Sequence, residues 1–194
     1  MQGRNASLLS GAACAWFAAV ALAAGSGLPG DNGRPRDGIP NVNPPPRPSG
    51  VMPARPPVAR APAIDLALKA AQAIADGCKQ YKLGVAVLNS VGAPILIYVV
   101  DGSEPSHGYM ALRKAYTAIT FQTPTSQLVS KAQNDPDFAA KIKADPNLVA
   151  FSGGLLLKAG DAVIGAVGVS GAEPGGHDEE CGLIGVGKIQ DQLR

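Results

Sequence analysis

The stretch DAVIGAVGVSGAEPGGHDEE, Asp161 to Glu180, decides how the chain folds. It opens on an apolar run, Ala162 to Val169, interrupted by Gly165 and Gly168. That run is far short of the roughly 20 apolar residues a membrane span needs. Its length and the β-branched Val163, Ile164, Val167 and Val169 predict a buried strand. Glycine weakens a strand unless another group must come close, so a helix, a partner chain or a ligand is expected against it. The run breaks at Ser170-Gly171, crosses a Pro/Gly loop and restarts at Asp178, Glu179 and Glu180. Three acids suit the first turn of a helix, where they meet the positive end of its dipole. The stretch therefore reads as central strand, shaped loop and helix start.

Outward from it, the remaining elements follow in order. Ile64, Ala67, Leu68, Ala71, Ile74, Ala75 and Cys78 recur at three and four residues and predict an amphipathic helix. LGVAVL, 83–88, and PILIYVV, 94–100, predict two strands joined by the hairpin turn Asn89-Ser90-Val91-Gly92. The unbroken apolar character of the second predicts burial on both faces, by helices or by a subunit partner. Ser103, Pro105 and Ser106 prepare a second helix that continues through Phe121 and stops at Thr123-Pro124-Thr125. A short helical turn is expected over 126–132, a polar helix between Asp135-Pro136 and Asp145-Pro146, an edge strand over 147–151 and a strand over 154–158. A last helix runs from about Asp178 to Gln190. Short connections predict an α+β domain with a mainly antiparallel sheet flanked by helices.

The N-terminal third has a different composition. Arg4 is followed by LLSGAACAWFAAVALAAGSG, a basic start, an apolar stretch and then small residues. This is the pattern of a secretory signal peptide over 1–24, with a cut near Ala23 or Ala24; a retained membrane anchor is the alternative. Eleven of the 17 prolines lie between Pro29 and Pro62, so 25–62 reads as an extended linker or a ligand for a partner. Charge divides in the same place: 25–62 carries +3 and 63–194 carries −2. A folded part with no basic run is a poor nucleic-acid binder, and after signal removal no membrane segment remains. Export to the periplasm or the extracellular space leaves Cys78 and Cys181, which form either a disulfide or two small buried thiols.

Four segments, VAVLNSVGAPILIYVVDGS, LRKAYTAITFQTPT, SGGLLLKAGDAVIGAVGVSGA and HDEEC, stand in order across 63–194. Together they resemble the GlcG/HbpS group, also called DUF336 or the haem-degrading domain, which forms the C-terminal part of PduO-type proteins as well. The resemblance implies a profilin-like fold, homo-oligomeric assembly and haem binding in several members. One departure stands out. PduO-type members carry a haem-ligating His in the first helix, and Ile64 to Gln80 contains none.

Only His107 and His177 are present in the chain. His107 opens the second helix beside Tyr109; imidazole and phenolate both ligate haem iron, and Arg113 and Lys114 follow where propionates would need cations. His177, Asp178, Glu180 and Cys181 group residue types that hold zinc or iron. The plainer readings are an exposed histidine at a helix start, acids placed by a helix dipole and a core cysteine. No hydrolase triad or phosphate-binding loop stands out. The leading expectation is an exported, self-associating module for haem or another tetrapyrrole, with His107 and His177 as candidate iron ligands. A structural protein that has lost the haem site, and a small-molecule enzyme of unknown reaction, are the alternatives.

Overall fold

In the computed structural model, residues 59–173 and 176–194 are described. The segment read as a signal peptide, 1–24, and the Pro-rich segment up to residue 58 lie outside them. The element order is α1 (Ile64–Gly77), β1 (Gly84–Asn89), β2 (Pro94–Val99), α2 (Pro105–Phe121), α3 (Thr125–Asn134), α4 (Pro136–Ala144), β3 (Gly154–Ala159), β4 (Ala162–Ser170) and α5 (Asp178–Ile189), then a short 3-10 turn at Gln190–Gln192. The four strands form one sheet in the order β2-β1-β4-β3, antiparallel at every pairing. The domain is α+β, and β4, the strand inside the opening stretch, is central.

Two cores lie on the two faces of this sheet. On one, α1 and α5 pack over Val85, Val87, Leu155, Leu157, Ile164, Val167 and Val169. Gly185 of α5 sits against Ile74 and the Ala70 carbonyl, which lets the two helices close on each other. A disulfide joins Cys78, just after α1, to Cys181 in the first turn of α5, with Cα atoms 6.0 Å apart. The other face belongs to α2, whose Ala111, Leu112, Ala115, Ala118 and Ile119 meet Ala86, Leu88 and Ala166. Here the strand glycines find their reason. A Cβ at Gly168 would collide with the Ala111 carbonyl oxygen, and one at Gly154 with the carbonyl of Lys114. The close approach that β4 called for is made by α2.

Two sequence expectations are corrected and one is narrowed. Residues 147–151 form no strand. Leu148 and Val149 are buried, but side chains of α2 satisfy their backbone: Arg113 donates to the Leu148 carbonyl at 3.1 Å, and Thr117 Oγ1 accepts from Val149 N at 3.0 Å. Strand β2 is an edge, and the chain's own helices do not cover both of its faces: Ile97 and Val99 remain 43% and 39% exposed within one chain. The expected short turn at 126–132 is a full helix, α3, anchored where Thr125 Oγ1 accepts from Gly154 N at 2.8 Å. No described helix is long and apolar enough to cross a membrane.

Candidate functional site

A cavity of about 370 Å³ opens between the start of α2, the chain at Phe151-Ser152 and the loop that leaves β4. From α2 it receives His107, Met110 and Lys114. These residues recur at three and four positions and so share one helical ridge. Ser170, Glu173, Gly176 and Asp178 line the opposite wall, and Phe151, 59% exposed, stands at the mouth.

The wall is fixed by one buried ion pair. Lys114, 3% exposed, places Nζ 2.6 Å from Asp178 Oδ2 and donates to the Val169 carbonyl at 3.1 Å. Asp178 Oδ1 accepts from Ala172 N at 2.9 Å. A buried charge must be paired and fully hydrogen-bonded, and these three bonds do that while tying α2, the end of β4 and the start of α5 together. One position along, Glu179 accepts from Ser126 Oγ and Ser152 Oγ, both at 2.8 Å, which secures the Ser152 side of the cavity.

His107 lines this cavity with its ring held in place. Its Nδ1 lies 2.9 Å from the Lys82 carbonyl oxygen and 3.0 Å from Ser103 Oγ. A carbonyl only accepts, so Nδ1 carries the proton, and in the neutral ring Nε2 keeps its lone pair. Metal-ligating histidines commonly donate their other ring N–H to a backbone carbonyl in this way. Two glycines hold the ring there. A Cβ at Gly84 would strike the His107-Gly108 backbone, and one at Gly171, where φ is +105°, would meet the Lys82 carbonyl and His107 Nδ1.

The other candidate residues separate. Lys114 lines the cavity, but its charge is already used by Asp178. Tyr109 and Arg113 are not among the lining residues. They are four apart on a different ridge of α2. Burial holds the Arg113 guanidinium below its ordinary value, partly offset by Asp145. His177 also stands outside the cavity: its Nδ1 meets Glu180 Oε2 at 2.7 Å, and its ring stacks on Tyr81 with centroids 6.0 Å apart. Of the two readings of His177, Asp178, Glu180 and Cys181, the plainer one fits the described residues. His177 precedes α5 instead of sharing its face, Cys181 is turned into the core and oxidised, and Asp178 belongs to Lys114. Among the described residues no three His, Cys, Asp or Glu side chains cluster as a cation site.

Sequence reasoning missed Met110, Phe151 and Ser152 as lining residues. The signal for Met110 was available, since it lies one turn from His107. Phe151 was assigned to a strand that does not form.

The fold and site together place the chain in a class. The family of haem degrading protein HbpS-like matches residues 63–186, and the chain belongs to that family. Among solved structures, protein ORFY of Klebsiella pneumoniae, of family DUF336, is 22% identical, with 72% of this chain and 97% of that one covered and a TM-score of 0.62. A double mutant of HbpS from Streptomyces reticuli is 27% identical, with 74% and 97% covered and a TM-score of 0.61. A PduOC:heme complex is 19% identical, with 66% and 95% covered and a TM-score of 0.60, a likeness of fold. None of the curated proteins matches the chain.

Proposed function

We propose that the domain is an exported, homo-oligomeric module that binds haem or a similar tetrapyrrole, whose iron His107 would hold. The observation that carries this reading is the His107 imidazole, its Nδ1 proton held by the Lys82 carbonyl and its ring lining a cavity. The donor set fits the group. Imidazole supplies a strong iron ligand, Met110 and Phe151 supply apolar walls, and Ser170 supplies a hydroxyl, while the Ser106 and Ser152 hydroxyls already donate to Glu104 and Glu179. When bound, haem supplies an iron centre for ligand binding or electron transfer. The chain's own residues orient the ligand and shape the wall. Lys114 enters as half of a closed ion pair, so it holds the wall in place in preference to binding a propionate. Membership of the HbpS-like family supports the ligand class. So does the PduOC structure of similar fold, which is a complex with heme.

Two further observations support the finer parts of the proposal. The Cys78–Cys181 disulfide favours an oxidising compartment, in line with the signal-like start. Exposed Ile97 and Val99 on the edge strand β2, with Phe151 at the cavity mouth, favour self-association. Titration of the purified protein with hemin tests the ligand. The expected result is a Soret shift that saturates, in a species whose mass in solution exceeds that of one chain. A spectrum of free hemin throughout the titration would overturn the proposal.

A further inference from the structure

A second concavity lies on the other side of Lys82 from the His107 cavity, at the C-terminal end of α1. It is a groove of about 470 Å³ between that helix end and the edge strand β2. Tyr81 and Tyr98 line it, with the exposed acids Asp76 and Asp101 and the exposed Lys79 and Lys82. The Tyr81 ring is held by its stacking on His177, so part of the groove is pre-organised. The haem-binding proposal uses the Lys82 backbone carbonyl but none of these side chains.

The chain ahead of α1 carries a matching element. It repeats one tetrapeptide pattern, Pro45-Pro46-Arg47-Pro48 and Pro53-Ala54-Arg55-Pro56. Proline-rich sequence adopts polyproline II at little entropic cost, and such helices dock on aromatic-lined grooves. In a polyproline II helix, with three residues per turn, residues three apart such as Pro45 and Pro48 would share one ridge and Arg47 would fall on another. We propose that Pro45–Pro48 docks in the Tyr81/Tyr98 groove of its own chain, with Arg47 directed to Asp76 or Asp101. The two lysines on the rim mean that charge sets the direction of the segment, while the tyrosine rings supply the contact area.

Reach selects between the two copies. The segment joins the domain at the opposite end of α1, where Ser90 N donates to the Arg60 carbonyl at 2.8 Å and Pro62 lies against Gly165. From there the chain must travel the length of α1, about 21 Å for its 14 residues. Pro48 is 12 residues from the pinned Arg60, a polyproline II span of about 37 Å. Pro56 is only 4 residues away, about 12 Å, and falls short. The first copy reaches the groove with chain to spare.

A nitroxide on Ser49→Cys, in a full-length chain that also carries Cys14→Ser, tests the proposal by NMR. Selective broadening of the Tyr81, Tyr98 and Asp101 amide signals is expected. It should be lost in Pro45→Ala/Pro48→Ala, which leaves the domain untouched, and in Tyr98→Ala. Broadening that is absent, spread over the surface, or unchanged in the proline variant overturns the proposal. Broadening that fades on dilution assigns the segment of a second copy and overturns docking within one chain.

Discussion

The two faces of the sheet are built on opposite plans. Under α1 and α5, the strands present large aliphatic side chains, and a disulfide locks the helices together. Under α2, they present alanine and glycine, and the helix backbone rests almost directly on β4. The first face offers apolar burial and covalent closure. The second gives up side-chain volume. In exchange, the start of α2 sits close enough to the loop after β4 for Lys114 to reach Asp178, and for His107 to be clamped between Lys82 and Gly171. Stability and chemistry are divided between the faces of one sheet.

Breaking the α2 face at its charge should have the largest effect. Lys114→Ala strands Asp178 as a buried, unpaired carboxylate, and an unfolding cost of about 3–5 kcal/mol is expected in denaturant titration. The double variant Lys114→Met/Asp178→Leu should recover part of this loss but not all of it, because Ala172 N then lacks its acceptor. Breaking the other face comes next. Cys78→Ser/Cys181→Ser opens a link across 103 residues and should cost about 2–5 kcal/mol, read as a lower midpoint in the same titration. Gly168→Ala should cost about 1–3 kcal/mol by pushing α2 off β4, visible as shifted amide signals along α2. The smallest effect is expected at His177→Ala. It removes an exposed pair with Glu180 and should change stability by less than about 1 kcal/mol.

The sequence showed the face built on periodic packing more clearly than the face built on close approach. Small and large apolar residues at helical spacing mark α1, but only its Ala67, Ala70, Ala71 and Ile74 are buried; Ile64 and Leu68 belong to the same stripe and stay exposed. The glycines of β4 announced a close neighbour without naming it, because absence of a side chain carries no address. The cysteines were visible, yet their pairing depended on how α1 and α5 meet. At the site, His107 and the loop after Val169 were legible as chemistry-bearing residues. The Lys114–Asp178 pair was not, since its partners are 64 residues apart and each had a local explanation. Leu148 and Val149 looked like strand because they are apolar and buried, but their hydrogen bonds go to α2 side chains, which no local pattern reveals.

The two histidines bring the comparison down to single residues. His107 is held by a backbone carbonyl and lines a cavity; His177 is held by a carboxylate and a tyrosine face outside it. Hemin affinity measured side by side for the parent protein, His107→Ala and His177→Ala tests the central claim most directly. The account predicts that His107→Ala abolishes the Soret shift or weakens binding at least about tenfold, roughly 1.4 kcal/mol, while His177→Ala binds like the parent. A shift preserved in His107→Ala, or lost in His177→Ala alone, would contradict it.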